Sequence, residues 1–159
     1  IDTAIFAGGC FWGVEYYMKK APGVLAVESG YIGGKVEDPS YEEVCEGNTG
    51  HVEAVRVLFD TSKTDYETLT KLFFEIHDPT QQDHQGPDYG EQYRSEIFYN
   101  SPEQKAVAEK LIQELKEKGY AVVTRLASAT TFWVAEDYHQ NYYTRKGTLP
   151  YCHGYTRRF

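Results

Sequence analysis

The stretch Ala4-Ile5-Phe6-Ala7-Gly8-Gly9-Cys10-Phe11-Trp12-Gly13 contains the change of pattern that decides the fold class. Residues 4–7 form a short apolar run, which is typical of a buried strand, and two glycines end it. Residues 10–20 then repeat apolar side chains with a helical period until Pro22-Gly23 stops the helix. A buried strand that turns directly into a helix predicts an α/β or α+β fold.

The same alternation of strand and helix patterns continues through the rest of the chain. Runs that alternate apolar and polar residues, or are rich in β-branched ones, predict strands at residues 24–31, 51–59, 96–99 and 120–126. Amphipathic helices are predicted at residues 65–76, after a capping box from Thr64 to Glu67, and from Ser101-Pro102 to Gly119. Shorter helical turns are predicted around residues 41–46 and within 132–143, and residues 77–93 form a long loop of the functional kind.

Length, composition and charge exclude several classes of protein. The 159 residues suffice for one domain with its own core, and 41% hydrophobic with 25% charged residues excludes a disordered or fibrous chain. Because 24 acidic residues outnumber 16 basic ones, for a net charge of −8, nucleic-acid binding is not expected. No apolar run approaches the roughly 18 residues of a membrane span, so no membrane association is expected. We expect a single domain over residues 1–159.

The three cysteines, Cys10, Cys45 and Cys152, do not form a disulfide framework, because an odd number leaves at least one free thiol. There is no Cys-x-x-Cys pair, and the five histidines are scattered, so no metal site is predicted. A redox or nucleophilic thiol is therefore the first hypothesis for the function.

Cys10 is the most informative of the three, because it lies where the predicted strand becomes the predicted helix. The unpaired amides and the positive end of the dipole at a helix N-terminus stabilise a thiolate, which is the nucleophilic form of cysteine. Gly8 and Gly9 let a substrate approach the backbone closely, and Phe11 and Trp12 offer the wall of an apolar pocket. The alternative is a buried structural cysteine among core aromatic residues.

The run from Gly8 to Gly13 resembles the signature of the class A peptide methionine sulfoxide reductases. Further blocks of that family follow in its order: Gly30-Tyr31-x-Gly33-Gly34, Pro39-x-Tyr41-x-x-Val44-Cys45, Thr49-Gly50-His51-x-Glu53, His77-Asp78-Pro79-Thr80, Asp88-x-Gly90-x-Gln92-Tyr93-Arg94-Ser95 and Ala135-Glu136-x-Tyr138-His139-Gln140. They cover almost the whole chain, which makes the resemblance specific. It implies a two-layer sandwich of ferredoxin-like topology, in which helices pack on a mixed β-sheet. It also implies reduction of the S epimer of methionine sulfoxide, free or in proteins, without a cofactor.

The resemblance also implies roles for single residues, with Cys10 as the nucleophile that attacks the sulfoxide sulfur. The other roles divide by chemistry. Phe11, Trp12 and Tyr151 bind the substrate and its methyl group, whereas Glu53, Tyr41 and Tyr93 surround the sulfoxide oxygen, and Asp88 belongs to the same polar network. The chemistry agrees, because a sulfoxide oxygen leaves only after protonation and the nucleophile therefore needs an acid beside it. A carboxyl desolvated on a half-buried strand, as predicted for Glu53, retains its proton more readily. Two phenols can donate hydrogen bonds to the same oxygen.

Recycling needs a second thiol, because the attack leaves a sulfenic acid on Cys10 that another thiol condenses to a disulfide. Cys45 lies in a stretch predicted to be helical and is expected to be buried and inert. Cys152 lies in a tail with Pro150 and Gly154, which permit movement, and it matches the tail cysteine of the family. The resemblance therefore implies a Cys10–Cys152 disulfide reduced by thioredoxin. No further cysteine follows, which departs from one common family pattern and implies a two-cysteine cycle.

Two other interpretations stay open at this point. A thiol hydrolase or acyltransferase would use Cys10 with His51 or His139 as its base, and a redox-switched binding module would use the disulfide as a switch. Otherwise both histidines are expected to make structural hydrogen bonds. We expect a monomer in the cytoplasm, or in the periplasm or outside the cell if this chain, which begins at Ile1, comes from a longer reductase fusion. The expected partners are oxidised proteins, free methionine sulfoxide and thioredoxin.

Overall fold

The structure is a computed structural model and describes residues 2–8, 11–34, 40, 51–77, 79–80, 84–85, 88–89 and 94–135. The strands are β1 (Asp2–Gly8), β2 (Val24–Ile32), β3 (Val52–Phe59), β4 (His84–Gln85), β5 (Asp88–Tyr89), β6 (Ser95–Tyr99), β7 (Arg125–Ser128) and β8 (Trp133–Val134). The helices in these ranges are α1 (Phe11–Lys19), α2 (Tyr66–Ile76) and α3 (Pro102–Glu117). None of these helices is long and apolar enough to cross a membrane.

Six of the strands form one mixed sheet in the order β7-β6-β1-β3-β2-β8. Its four central strands, β6-β1-β3-β2, pair antiparallel throughout, and β7 joins β6 in parallel at one edge. Because β1 and β2 are both antiparallel to β3, they run parallel to each other and need the crossover through α1. The parallel strands β3 and β6 are connected through α2 for the same reason. This βαββαβ arrangement is the ferredoxin-like topology and confirms the predicted fold class.

The helices cover one face of the sheet, as the predicted two-layer sandwich requires. Alternate residues of the central strands point to that face, where Phe6, Val55 and Val57 belong to one core with Phe73 of α2 and Leu111 of α3. The intervening residues form a second apolar cluster on the opposite face: Ile5, Ala7, Ile32, Val52, Ala54 and Phe98. Both faces of the central strands are therefore buried. Burial fixes their register and, with it, the position of the strand ends that build the site.

Helix α1 packs one side onto the sheet and ends where the sequence predicts. Phe11, Val14 and Met18 are buried at the three- and four-residue spacing of one helix face. Beyond the helix, Gly23 has a φ of +87°, a left-handed conformation that favours glycine, and its carbonyl accepts a hydrogen bond from the Asp60 amide at 2.9 Å. The segment after α1 is thus tied to the residue that follows β3, and the helix itself begins three residues after the end of β1.

The N-terminus of α2 is capped by Asp65, so the predicted box from Thr64 to Glu67 is wrong. The Asp65 carboxylate accepts a hydrogen bond from the Thr68 amide at 2.7 Å, and hydrogen bonding by the Thr68 side chain and amide lowers the pKa of the Asp65 carboxyl. A carboxylate is favoured at this position because it also interacts with the positive end of the helix dipole. Helix α3 is capped as predicted, since the Ser101 side chain accepts from the Gln104 amide and Gly119 follows with a φ of +100°.

Predictions for the segments outside the central strands are partly wrong. The strand predicted at residues 120–126 forms only from Arg125, because its position is set by parallel pairing with β6 and not by local alternation. Within residues 132–143, which are predicted to be partly helical, Trp133–Val134 pairs with β2 as a short strand, and residues 136–143 lie outside the described residues. The long loop at residues 77–93 contains the β4-β5 hairpin. The helical turn predicted at residues 41–46 lies outside the described residues.

Candidate active site

The candidate site forms where β1 ends and α1 begins, beside the neighbouring end of β3. Strand β1 ends at Gly8, and Cys10 is the residue immediately before α1 in the sequence. Strands β1 and β3 are paired as far as Phe6 opposite Val55, so Gly8 and Glu53 each lie two residues beyond this last pair, at the same end of the two antiparallel strands. The register of the sheet thus places a carboxyl next to the start of α1.

Glu53 is a buried residue that contacts the first residue of that helix. It is 1% exposed, and its Oε1 accepts a hydrogen bond from the backbone amide of Phe11 at 3.2 Å. The amides of a first helical turn have no partner within the helix, so this contact satisfies one of them. Removal from water disfavours an ionised carboxyl, whereas the amide and the helix dipole stabilise the anion that remains after proton transfer. The position is therefore suited to a group that holds a proton and then donates it.

Tyr31 lies directly opposite Glu53 in the pairing of β2 with β3. It is fully buried, and its ring centroid is 5.7 Å from that of Phe11. Because directly opposite residues have Cβ atoms only about 4.5–5.5 Å apart, Tyr31 packs against both the acid and the start of α1. The motif from Gly30 to Gly34 contains Tyr31, but sequence reasoning gives the residue no role. The signal that identifies it is the strand register.

Phe11 and Trp12 differ in their exposure to solvent. Phe11 is fully buried, whereas Trp12 is partly exposed, and their ring centroids lie 6.4 Å apart. The ring of Trp12 is therefore the one that offers surface to an apolar ligand group in this structure. Phe11 packs behind it, between the indole and Tyr31.

His51 makes a structural hydrogen bond, as expected. Its Nδ1 accepts from the Gly34 amide at 3.0 Å, and the residue is buried. A neutral ring with Nδ1 as acceptor carries its proton on Nε2. The bond ties the chain after β2 to the start of β3, two residues before Glu53, so His51 helps to hold the strand that carries the acid.

Comparison with known proteins shows the family to which this chain belongs. A sequence model of the family "Peptide methionine sulfoxide reductase" matches residues 2–158. The chain belongs to this family. A reductase named MsrA from Methanosarcina mazei is 50% identical over 152 residues, which cover 94% of this chain and 72% of that protein. The MsrA of Deinococcus radiodurans is 51% identical over 154 residues, which cover 95% of this chain and 75% of that protein.

Solved reductases share the fold. The reduced form of Mxr1 from Saccharomyces cerevisiae matches with a TM-score of 0.90 at 31% identity, over 99% of this chain and 92% of Mxr1. Methionine sulfoxide reductase A of Corynebacterium diphtheriae matches with a TM-score of 0.83 at 34% identity, over 95% of this chain and 77% of that one. The predicted family, fold class and enzyme class are confirmed. The hydrolase and binding-module interpretations are set aside for this reductase.

Several residues for which the sequence predicts a catalytic, a binding or only a structural role in this reductase lie outside the described residues. They are Cys10, Tyr41, Cys45, Tyr93, His139, Tyr151 and Cys152, together with the side chain of Asp88, whose backbone belongs to β5. Their roles stay predictions. Of the predicted set, the structure brings Glu53, Phe11 and Trp12 together at the start of α1.

Trp12→Ala is expected to weaken substrate binding by the reductase more than it slows the chemical step. Burial of one methyl-sized group is worth about 0.8 kcal/mol, so loss of the exposed ring surface should raise KM roughly fourfold or more. Steady-state kinetics with dithiothreitol measure KM and kcat separately, and Trp12→Phe, which keeps an aromatic wall, should recover most of the affinity. Unchanged kinetics in Trp12→Ala would show that the ring only packs.

Proposed function

We propose that this chain reduces the S epimer of methionine sulfoxide, free or in proteins, with Cys10 as nucleophile and Glu53 as acid. One observation carries the proposal: the buried Glu53 carboxyl is hydrogen-bonded to the amide of Phe11, which directly follows Cys10 in the sequence. An acid next to a thiol at a helix N-terminus is what the reaction needs. The names of the similar proteins support the substrate class.

In the first step the Cys10 thiolate attacks the sulfoxide sulfur, and Glu53 gives a proton to the sulfoxide oxygen. The attack joins the Cys10 sulfur to the substrate sulfur. The protonated oxygen then passes to the Cys10 sulfur while this sulfur–sulfur bond and the sulfur–oxygen bond of the substrate break, so methionine leaves and Cys10 becomes a sulfenic acid. The two electrons that reduce the substrate come from the Cys10 sulfur. The proposed supporting roles are hydrogen bonds to the oxygen from Tyr41 and Tyr93, with Asp88 in the same polar network, and methyl-group contacts from Trp12, Phe11 and Tyr151.

In the second step the Cys152 thiol attacks the sulfenic sulfur, water leaves, and a Cys10–Cys152 disulfide forms. Thioredoxin then reduces this disulfide by thiol–disulfide exchange and restores both thiols. Mxr1 of yeast, which shares this fold, has also been solved in complex with Trx2, and this supports thioredoxin as the reductant. A cycle that depends on free thiols suits a reducing compartment, and we infer the cytoplasm.

Turnover of separate epimers tests the proposed function. The purified chain is incubated with dithiothreitol and either the S or the R epimer of methionine sulfoxide, and the methionine formed is measured. We expect product from the S epimer and none from the R epimer. Absence of product from the S epimer would contradict the proposed function, and equal use of both epimers would contradict the proposed specificity for the S epimer.

Cys152→Ser is expected to separate the chemical step from recycling. The attack needs only Cys10 and its acid, so this variant should release about one methionine per enzyme and keep a sulfenic acid, but fail to turn over with thioredoxin. Cys45→Ser is the matched control and should turn over normally. The measurements are steady-state turnover with thioredoxin and detection of sulfenic acid after one turnover. If Cys45→Ser loses turnover while Cys152→Ser keeps it, the assignment of the resolving thiol is wrong.

A further inference from the structure

A chain of hydrogen bonds, buried at His77 and Ser95 and half-buried at Thr124, connects three segments near the start of the candidate site. His77, the residue after α2, is 3% exposed, and its Nδ1 lies 2.5 Å from the Phe73 carbonyl oxygen. Its Nε2 lies 2.7 Å from Ser95 Oγ at the start of β6, and Ser95 Oγ lies 2.7 Å from Thr124 Oγ1, just before β7. The His77 side chain thus links α2 with β6 directly and, through Ser95, with the segment before β7.

The Phe73 carbonyl fixes the direction of the first hydrogen bond, and a neutral His77 ring then fixes the directions of the others. A carbonyl oxygen can only accept, so the His77 Nδ1 carries a proton and donates it to Phe73. In the neutral ring Nε2 then accepts from the Ser95 hydroxyl, and the Ser95 oxygen in turn accepts from the Thr124 hydroxyl. In this arrangement the Ser95 and Thr124 hydroxyls each donate a hydrogen bond to a partner, and a polar network is stable when its groups are satisfied in this way. A neighbouring backbone hydrogen bond, from the Val123 amide to the Pro79 carbonyl at 2.8 Å, connects the segment after α2 with the segment before β7.

This network packs directly against the end of β1. A Cβ atom added to Gly8 would lie 2.7 Å from Phe73 Cε1 and 3.0 Å from His77 Cγ, so both rings occupy the space beside the Gly8 backbone. Gly8 is also the strand partner of Ser95, the middle member of the network. The last residue of β1 is therefore held by the His77 ring on one side and by the Ser95 backbone on the other.

We propose that His77 is a positioning residue of this reductase, which fixes the strand end from which the chain continues to Cys10. This inference rests on the proposed function for the role of Cys10. Gly8 precedes Cys10 by two residues, so a shift of the strand end changes the point from which the chain continues to Cys10. A displacement of about 1 Å at a reacting group can cost as much as roughly 100-fold in rate.

His77→Phe and His77→Asn test the proposal as a pair. Phenylalanine fills the space of the ring but cannot hydrogen-bond, whereas the asparagine amide can still donate to the Phe73 carbonyl. We expect His77→Phe to lower kcat for methionine sulfoxide by about 10–100-fold while KM stays within about twofold, and His77→Asn to recover part of that loss. A folded His77→Phe variant with kcat within about twofold of the parent would overturn the proposal.

The reactivity of the Cys10 thiol gives a readout that does not depend on methionine sulfoxide. In a Cys45→Ser/Cys152→Ser background, alkylation by iodoacetamide reports on Cys10 alone, and we expect His77→Phe to slow it several-fold. If the parent chain fails to reduce methionine sulfoxide, the proposed function fails, while the alkylation rates still decide whether His77 positions the thiol. An unchanged alkylation rate would contradict the positioning role.

Thr124→Val covers the case in which the His77 variants do not fold. It removes the terminal hydroxyl of the network at almost constant volume, and loss of one hydrogen bond predicts a decrease of about 3–10-fold in kcat. Thr130→Val is the matched control, because Thr130 is exposed and lies outside the network. A folded Thr124→Val variant that behaves like Thr130→Val would overturn the proposal.

Discussion

Glu53→Gln is expected to slow the release of methionine in a single turnover by about 10²–10⁴-fold, the usual contribution of one general acid. Glutamine has nearly the same shape, and its Oε1 can still accept the hydrogen bond from the Phe11 amide, so the start of α1 should keep its geometry. What the variant loses is a proton that can be transferred to the sulfoxide oxygen. Substrate affinity should therefore change little.

Rapid-quench measurement of methionine formed before any reductant is added isolates this step. Glu75→Gln is the matched control, because Glu75 is another buried carboxyl but lies on α2, away from the start of α1. The control should react at close to the parent rate. A rate for Glu53→Gln within about twofold of the parent would remove Glu53 from the mechanism.

Cys10→Ser is expected to abolish both methionine release and turnover. A serine hydroxyl is far less nucleophilic than a thiolate at neutral pH, and it cannot supply two electrons by passing to a sulfenic acid and then a disulfide. The substitution changes one atom and should leave the fold intact, which circular dichroism can check. Methionine is measured with dithiothreitol present and absent. Any single-turnover release by a folded Cys10→Ser variant would contradict the proposed nucleophile.

Much of the fold is predictable because its central elements carry strong local patterns. The apolar run before Gly8, the periodic α2 and the capped α3 each bury a continuous face, so periodicity alone identifies them. The edge strand β7 is different, because its position depends on pairing with β6. The pattern of apolar residues from Tyr120 to Leu126 therefore does not predict where this strand begins and ends. The prediction of the N-cap of α2 fails for a related reason. Thr64 and Asp65 are adjacent residues that can both cap a helix, and only the backbone conformation shows that Asp65 does so.

The candidate site is less predictable because its contacts join distant parts of the chain. Sequence resemblance identifies Glu53, but its hydrogen bond to the Phe11 amide spans 42 positions and depends on the register of β1 with β3. The position of Tyr31 opposite Glu53 depends in addition on the register of β2 with β3. The network around His77 draws on three separate segments, and no spacing in the sequence predicts that they meet.

The most direct test of the proposed chemistry is the amount of methionine that the parent enzyme releases from the S epimer in the absence of any reductant. Each enzyme molecule holds the electrons for one reduction, because Cys10 is oxidised once and Cys152 then closes the disulfide. We therefore expect about one methionine per enzyme, accompanied by the loss of two titratable thiols. Release of no methionine, or release with all three thiols still titratable, would contradict the proposal that Cys10 reduces the sulfoxide.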